Sequence, residues 1–250
     1  MNEIYIKKGG ILLKVTYTGH SGFLVETENS LFLFDYFKGE IPELAPDKPL
    51  YVFVSHRHED HFNPAIFRLA EKHERTAFIL AFDIRLTARN IQKWGIDESW
   101  KDRILTARSH ETYQLAPGCK AETLRSTDEG VAFLITEGEH TIYHAGDLHW
   151  WLWDGEDPGW LGTMTANFKR EVERIAGRKI DLAFLPLDDR QGVHFYKGMD
   201  WFLRNCSVRY AFPMHFWEDD SVVERFMGMD CRKGYDTVIC DTAHERQWIL

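Results

Sequence analysis

The sequence predicts an α/β fold in which two sheets pack face to face with helices on the outside. Three observations predict it. Short apolar strand-like runs alternate with helical patterns, and this pattern occurs twice along the chain. No fixed-period repeat or low-complexity linker separates the halves. The length of 250 residues suits one large domain better than two. Residues 1–250 are therefore expected to form a single domain, burying about three quarters of the unfolded surface. Apolar residues make up 44% and charged residues 28%, ordinary for a folded chain. That excludes disorder, collagen and coiled coil as the main architecture.

The elements follow in order. Leu13–Thr18 alternates as a strand, Gly22–Glu26 follows a Gly-His-Ser-Gly turn, and Leu31–Phe34 runs apolar into Asp35. Residues 36–49 carry three prolines and read as a loop. Leu50–Val54 is a continuous apolar run, the mark of a strand buried on both faces. Pro64 can open a helix over Ala65–Lys72; Thr76–Ala81 is a strand and Ile84–Trp94 a helix. Strands are expected at Thr112–Leu115, Lys120–Leu124, Val131–Thr136 and Thr141–His144. Residues 146–163, with Gly, Pro, Asp and four tryptophans, read as irregular. Then come helix Thr165–Ile175, strand Leu182–Leu185, helix Met199–Asn205, strand Tyr210–Pro213, helix Ser221–Met227 and strand Thr237–Cys240.

The formal charge of −9 falls entirely in the second half. Residues 126–168 hold eight acids and neither lysine nor arginine, whereas nucleic-acid binding needs a basic footprint. No apolar run approaches the roughly eighteen residues of a membrane span. The start, MNEIYIKKGG, lacks the apolar segment of a secretory signal, so a cytoplasmic protein is expected. Four scattered cysteines show no CxxC spacing and do not suggest a disulfide frame or a thiolate zinc site.

Chemistry concentrates directly after the strand Leu50–Val54, in Ser55-His56-Arg57-His58-Glu59-Asp60-His61. Histidines two apart can share one ion, and the Asp60-His61 pair can turn toward a second. Imidazole and carboxylate without thiolate suit zinc, manganese or iron.

HRHEDH resembles the HxHxDH signature of the metallo-β-lactamase superfamily. Three further landmarks occur in order: Asp35 ending LFLFD, Asp147 in HAGD, and His215 in FPMH. The resemblance runs from about residue 11 to residue 216 and implies a four-layer αββα sandwich with metals at the sheet edge. By the same resemblance, His56 and His58 would hold one metal ion. Asp60, His61 and His215 would hold a second, and Asp147 would bridge them. Asp35 would orient a ligand imidazole. One landmark is missing: Ser126 stands where the family supplies a third histidine to the first ion. Three arrangements are open: a weak first site, Asp128 as a carboxylate ligand, or His149 or His144 as a substitute.

The implied reaction is attack of a metal-bound hydroxide on a small ester, lactone, amide or phosphoester, with Asp60 moving the proton and one or two Zn2+ ions, or Mn2+ or Fe, as cofactor. The GHSGFLVE segment and the AGD motif look most like the branch containing L-ascorbate-6-phosphate lactonase. The partner expected is a small-molecule substrate, with neither nucleic acid nor membrane. A nuclease of the superfamily, a non-catalytic metal module and an iron oxygenase are the competing readings. For the pocket, the candidates are His149, Trp150, Trp151, Arg190, His194 and His20, with Trp153, Trp160 and Lys197 beside them.

Overall fold

The computed structural model describes residues 13–217 and 219–250. Six strands of the first half build one sheet: β1 (Lys14–Gly19), β2 (Gly22–Glu26), β3 (Leu31–Phe34), β4 (Leu50–Val54), β5 (Thr76–Ala81) and β6 (Ile104–Ala107). The second sheet takes β7 (Thr112–Ala116), β8 (Cys119–Arg125), β9 (Val131–Glu137), β10 (His140–His144), β11 (Lys179–Pro186), β12 (Ser207–Met214) and β13 (Val238–Ile239). The last strand, β14 (Gln247–Ile249), returns to the first sheet and pairs with β1.

Both sheets follow one plan. β14-β1-β2-β3 is antiparallel and β3-β4-β5-β6 parallel. In the second sheet, β7-β8-β9-β10 is antiparallel and β10-β11-β12-β13 parallel. The two similar halves expected from the sequence are therefore present as topology.

The layering follows from side-chain alternation along the strands. In β3, Phe32 and Phe34 enter the core between the sheets while Leu31 and Leu33 face outward into a second apolar cluster. In β4, Tyr51 and Phe53 point inward and Leu50, Val52 and Val54 outward. The outward set is covered by α1 (Leu69–Lys72), its preceding 3-10 turn Pro64–Arg68, and α2 (Ala88–Trp94). The second sheet is covered by α3 (Pro158–Glu173), α4 (Lys197–Asn205) and α5 (Ser221–Met227), which bury Phe168, Phe202 and Phe226. The result is the αββα sandwich expected from the sequence.

Several expectations are corrected. The helix expected over Ala65–Lys72 is half 3-10, and that over Ile84–Trp94 begins only at Ala88, where the Thr87 hydroxyl accepts from Asn90 N. Residues 146–163 are not irregular throughout. Asp157 accepts from Trp160 N and Pro158 opens α3, so the helix starts seven residues before Thr165 and stops at Glu173. Strands β6 and β14, short and near or at sheet edges, were not anticipated. No helix among the described residues is long and apolar enough to cross a membrane.

Candidate metal centre

The carboxyl ends of parallel strands are where α/β sheets gather polar groups. Here β3 delivers Asp35, β4 delivers Ser55–His61, β10 delivers Asp147, β11 delivers Asp188 and β12 delivers His215. Four of the five non-glycine residues with positive φ among those described, His20, Asp35, His215 and Trp217, sit at this centre. Such backbone costs free energy and persists where surrounding contacts enforce it.

The hydrogen bonds fix how the imidazoles point. A carboxylate only accepts, so His61 Nδ1 donates to Asp35 Oδ2 at 2.8 Å and turns Nε2 the other way, into the centre. His215 Nδ1 donates to Asp188 Oδ2 at 3.1 Å with the same result. Ser55 gives its backbone N–H and its hydroxyl to Asp35 at 2.7 and 2.6 Å. The serine oxygen then accepts from His56 Nδ1 at 2.9 Å, so His56 Nε2 carries the lone pair, which faces His58 Nδ1 at 3.0 Å. Three imidazoles thus turn Nε2 toward one space, each locked from behind.

Asp147 stands in that space. Its Oδ1 lies 3.2 Å from His61 Nε2 and 3.4 Å from His215 Nε2, and its Oδ2 lies 3.6 Å from His56 Nε2. Buried Asp147 Oδ1 and His61 Nε2 have no hydrogen-bond partner among the described residues. Unpartnered polar atoms facing one another at this depth are expensive unless a cation lies between them. Two groups of donors result: His20, Asp60, His61 and His215, and His56, His58, Asp128 and Asp147, within each of which the ligand atoms lie within 4.8 Å of one another. Both sets, nitrogen and oxygen without thiolate, fit a divalent metal ion.

The electrostatics agree. Burial works to raise Asp147, yet His61, His215 and His56 hold its carboxyl well below the usual range. Burial likewise opposes Asp35, which His144 and His61 keep low. Burial would lower His61, but the Asp147 and Asp35 carboxylates hold it well above an ordinary imidazole, so a cation entering the centre takes the place of a proton on Nε2. Burial pushes His56 down to about 4, leaving it neutral and able to donate its lone pair. Asp60 is held low by His20, His61 and His215 against its own desolvation.

Of the three arrangements open for the missing histidine, the geometry favours Asp128. Its Oδ2 lies 3.7 Å from His58 Nδ1. Ser126 does not face the donors; its hydroxyl accepts from Asp128 N at 3.1 Å and shapes the turn. Thr127 Oγ1 bonds the Asp147 and His149 carbonyls, and Val131 N bonds Ser55 O, so the turn is clamped between the two ligand loops. Gly130 closes it at φ +70, where a Cβ would fall 1.9 Å from Ser55 O. His144 and His149 are not substitutes. His144 accepts from Gly146 N and donates to Ser21 O, and buried His149 donates to Gln191 Oε1.

An open pocket of about 500 Å³ lies over the centre, lined in part by Asp60, Asp147, His215, Trp151, Trp153, Trp160, Trp217 and Arg190. Of the six pocket candidates, Trp151 and Arg190 line it. His20 instead contacts Asp60, Nε2 to Oδ2 at 3.1 Å. Trp150 turns away to stack on Phe168 and donate to Thr165, and His149 sits behind the wall. His194 pairs with Asp154. Sequence reasoning did not assign Asp188 or Ser55 their orienting roles, since the Asp188–His215 and Ser55–Asp35 bonds join residues 27 and 20 positions apart.

Residues 14–157 match the model of the beta-lactamase superfamily domain. A UPF0173 metal-dependent hydrolase of Desulforamulus reducens is 32% identical over 217 residues, covering 82% of this chain and 84% of that protein. One from Nanoarchaeum equitans is 28% identical over 213 residues, with the same coverage. A metallo hydrolase structure from Ignicoccus hospitalis superposes with a TM-score of 0.61 at 17% identity, over 96% of this chain and 98% of that one. The chain belongs to the beta-lactamase superfamily and, within it, to the UPF0173 metal-dependent hydrolase family.

Proposed function

We propose that this chain hydrolyses a small ester, lactone or phosphoester at a two-metal centre. Asp147 carries the reading, because one of its oxygens faces each donor group. His56, His58 and Asp128 would hold one ion, Asp60, His61 and His215 the other, with Asp147 between them and His20 beside Asp60. Two divalent ions in such a site supply an activated water near neutral pH and counter-charge for the transition state. Zn2+ suits the histidine-rich group, and the second carboxylate in the Asp128 group also suits Mn2+ or Fe2+.

The protein residues do the rest. His20 donates to Asp60 Oδ2 and steadies the carboxylate at the pocket. Asp60 takes the proton of the attacking water at that oxygen and returns it to the leaving group. A pocket of about 500 Å³ suits a small molecule rather than a polymer. The four cysteines are free thiols, which supports a cytoplasmic setting. GHSGFLVE and the AGD motif support a lactone as the first substrate to try.

The test is metal content together with turnover on lactone, phosphodiester and thioester probes. Wild-type protein should carry two ions per chain and turn over at least one probe class. Asp147→Ala should lose both loading and turnover. Full loading with intact turnover in that variant would sink the reading.

A further inference from the structure

The mouth of the centre has features that holding metals does not require. Exposed large apolar side chains are few, and two of them, Trp160 (39% exposed) and Trp217 (45%), line this pocket. Trp217 is held at φ 53, a left-handed conformation that is costly for a bulky aromatic residue. Its ring is fixed against His20 at 4.5 Å. Trp151 is locked by donating to the Asp147 carbonyl at 3.1 Å, and Trp153 stacks on it at 5.8 Å with the planes 9° apart. Trp151 and Trp217 contact the His215 ring, at 5.6 and 6.1 Å between centroids. A flat ring lying against the exposed Trp217 indole therefore sits within reach of the ligand histidine.

One fixed positive charge accompanies these rings. Among the residues lining the pocket, Arg190 is the single lysine or arginine. Its Nε and Nη2 are committed to Asp188, and the guanidinium lies 5.3 Å from the centre of the Trp217 ring. Nη1 has no acceptor among the described residues, and about half of the side chain is exposed. A rigid guanidinium edge beside an indole face matches a ligand that is planar and anionic at once.

We infer that this pocket selects substrates built on a flat aromatic ring bearing a carboxylate or phosphate, the ring on the tryptophans and the anion at Arg190 Nη1. The inference rests on the hydrolase reading for the word substrate, but the subsite itself is a binding property and can be tested without turnover.

The experiment is calorimetry on the metal-loaded protein with three probes: 1-naphthoate, its neutral isostere 1-naphthamide, and acetate. Acetate controls for a bare carboxylate on the metals, and the amide for the ring alone. Naphthoate should bind about tenfold or more tighter than either. Trp153→Ala should weaken naphthoate and naphthamide together and leave acetate unchanged. Arg190→Gln should erase the preference of naphthoate over naphthamide. Because Arg190 also braces Asp188, acetate affinity is read beside that ratio: loss of the anion contact alone leaves acetate at its wild-type affinity, whereas a ratio lost only together with acetate binding belongs to the metals and overturns the inference. Equal affinity for naphthoate and acetate, or an unchanged ratio in Arg190→Gln, would overturn the inference. If the binding pattern appears while no lactone, phosphodiester or thioester is cleaved, the subsite stands and the hydrolase reading falls.

Discussion

At the scale of single residues, the groups that never face the pocket decide whether the donors work. Asp188 is the clearest example. It is fully buried, and burial alone would raise its carboxyl. Arg190 and His215 instead hold it well below the usual range. Its anion fixes the His215 proton on Nδ1, which is what bares Nε2. Asp188→Asn keeps the shape but offers an amide that can donate back to Nδ1, and it loosens Arg190. Losing such a support characteristically costs about 10–100-fold in metal affinity. A chelator competition on folded Asp188→Asn protein should show that drop, and wild-type affinity would remove Asp188 from the support of the centre. Most of the proposed ligands were legible in the sequence: HRHEDH places His56, His58, Asp60 and His61 within six positions after a buried strand, and the resemblance implied Asp147 and His215. Asp128 was legible only as one of three options. Asp188 and Ser55 were legible as residue types near the right strands, yet Asp188 meets His215 and Ser55 meets Asp35 at the ends of other strands, and no local pattern encodes that.

At the scale of elements, the sequence located strands well where both faces are buried. β2, β3, β4 and β5 were read with their observed limits, since continuous apolar runs leave little doubt about where burial ends. It read poorly where local chemistry conflicts. Gly159 and Gly162 in the first turns of α3 argue against a helix, but the Asp157 cap and Pro158 outweigh them. The short strand β6 is held by parallel pairing with β5, which its own residues do not announce. One ion pair joining elements has a definite pH signature. Arg178, just before β11, gives two hydrogen bonds to Glu122 on β8, at 3.1 and 2.9 Å. The Arg178 bond, outweighing desolvation, lowers the Glu122 carboxyl from 4.5. A depressed folded value means that the stabilisation is present above the unfolded value and is lost as pH falls through the folded one. The arginine is substantially exposed, so screening limits the effect to less than about 1 kcal/mol. Urea denaturation of wild type and Glu122→Gln should show that gap at pH 7 and its closure as the pH is lowered below about 4. A gap of the same size at both ends would assign the effect to packing instead.

At the scale of the whole molecule, the centre lies on the seam between the two sheets. His20, His56, His58, Asp60 and His61 come from the first sheet, and Asp128, Asp147 and His215 from the second. Ions bound there would tie the halves together, and they would also answer the charge of buried carboxylates in a chain of formal charge −9. A ligand that binds the folded state alone adds stability of RT ln(1 + [L]/Kd), about 2.7 kcal/mol at a hundred times Kd. For a chain of this length that corresponds to roughly 5–10 °C in melting temperature. Calorimetric scans should therefore show wild-type protein melting lower after chelation and recovering when divalent metal is returned, with Tm rising as the logarithm of metal concentration. Asp147→Ala should melt near the chelated wild type and respond little to metal, because the residue facing both donor groups is gone. In the metal-free protein the imidazoles of His61, His215 and His56 favour the Asp147 anion, so Asp147→Ala should melt at or below the chelated wild type as well as below the loaded one. A wild-type Tm that stays fixed while chelation strips its ions would mean that the seam is held by the apolar core between the sheets alone.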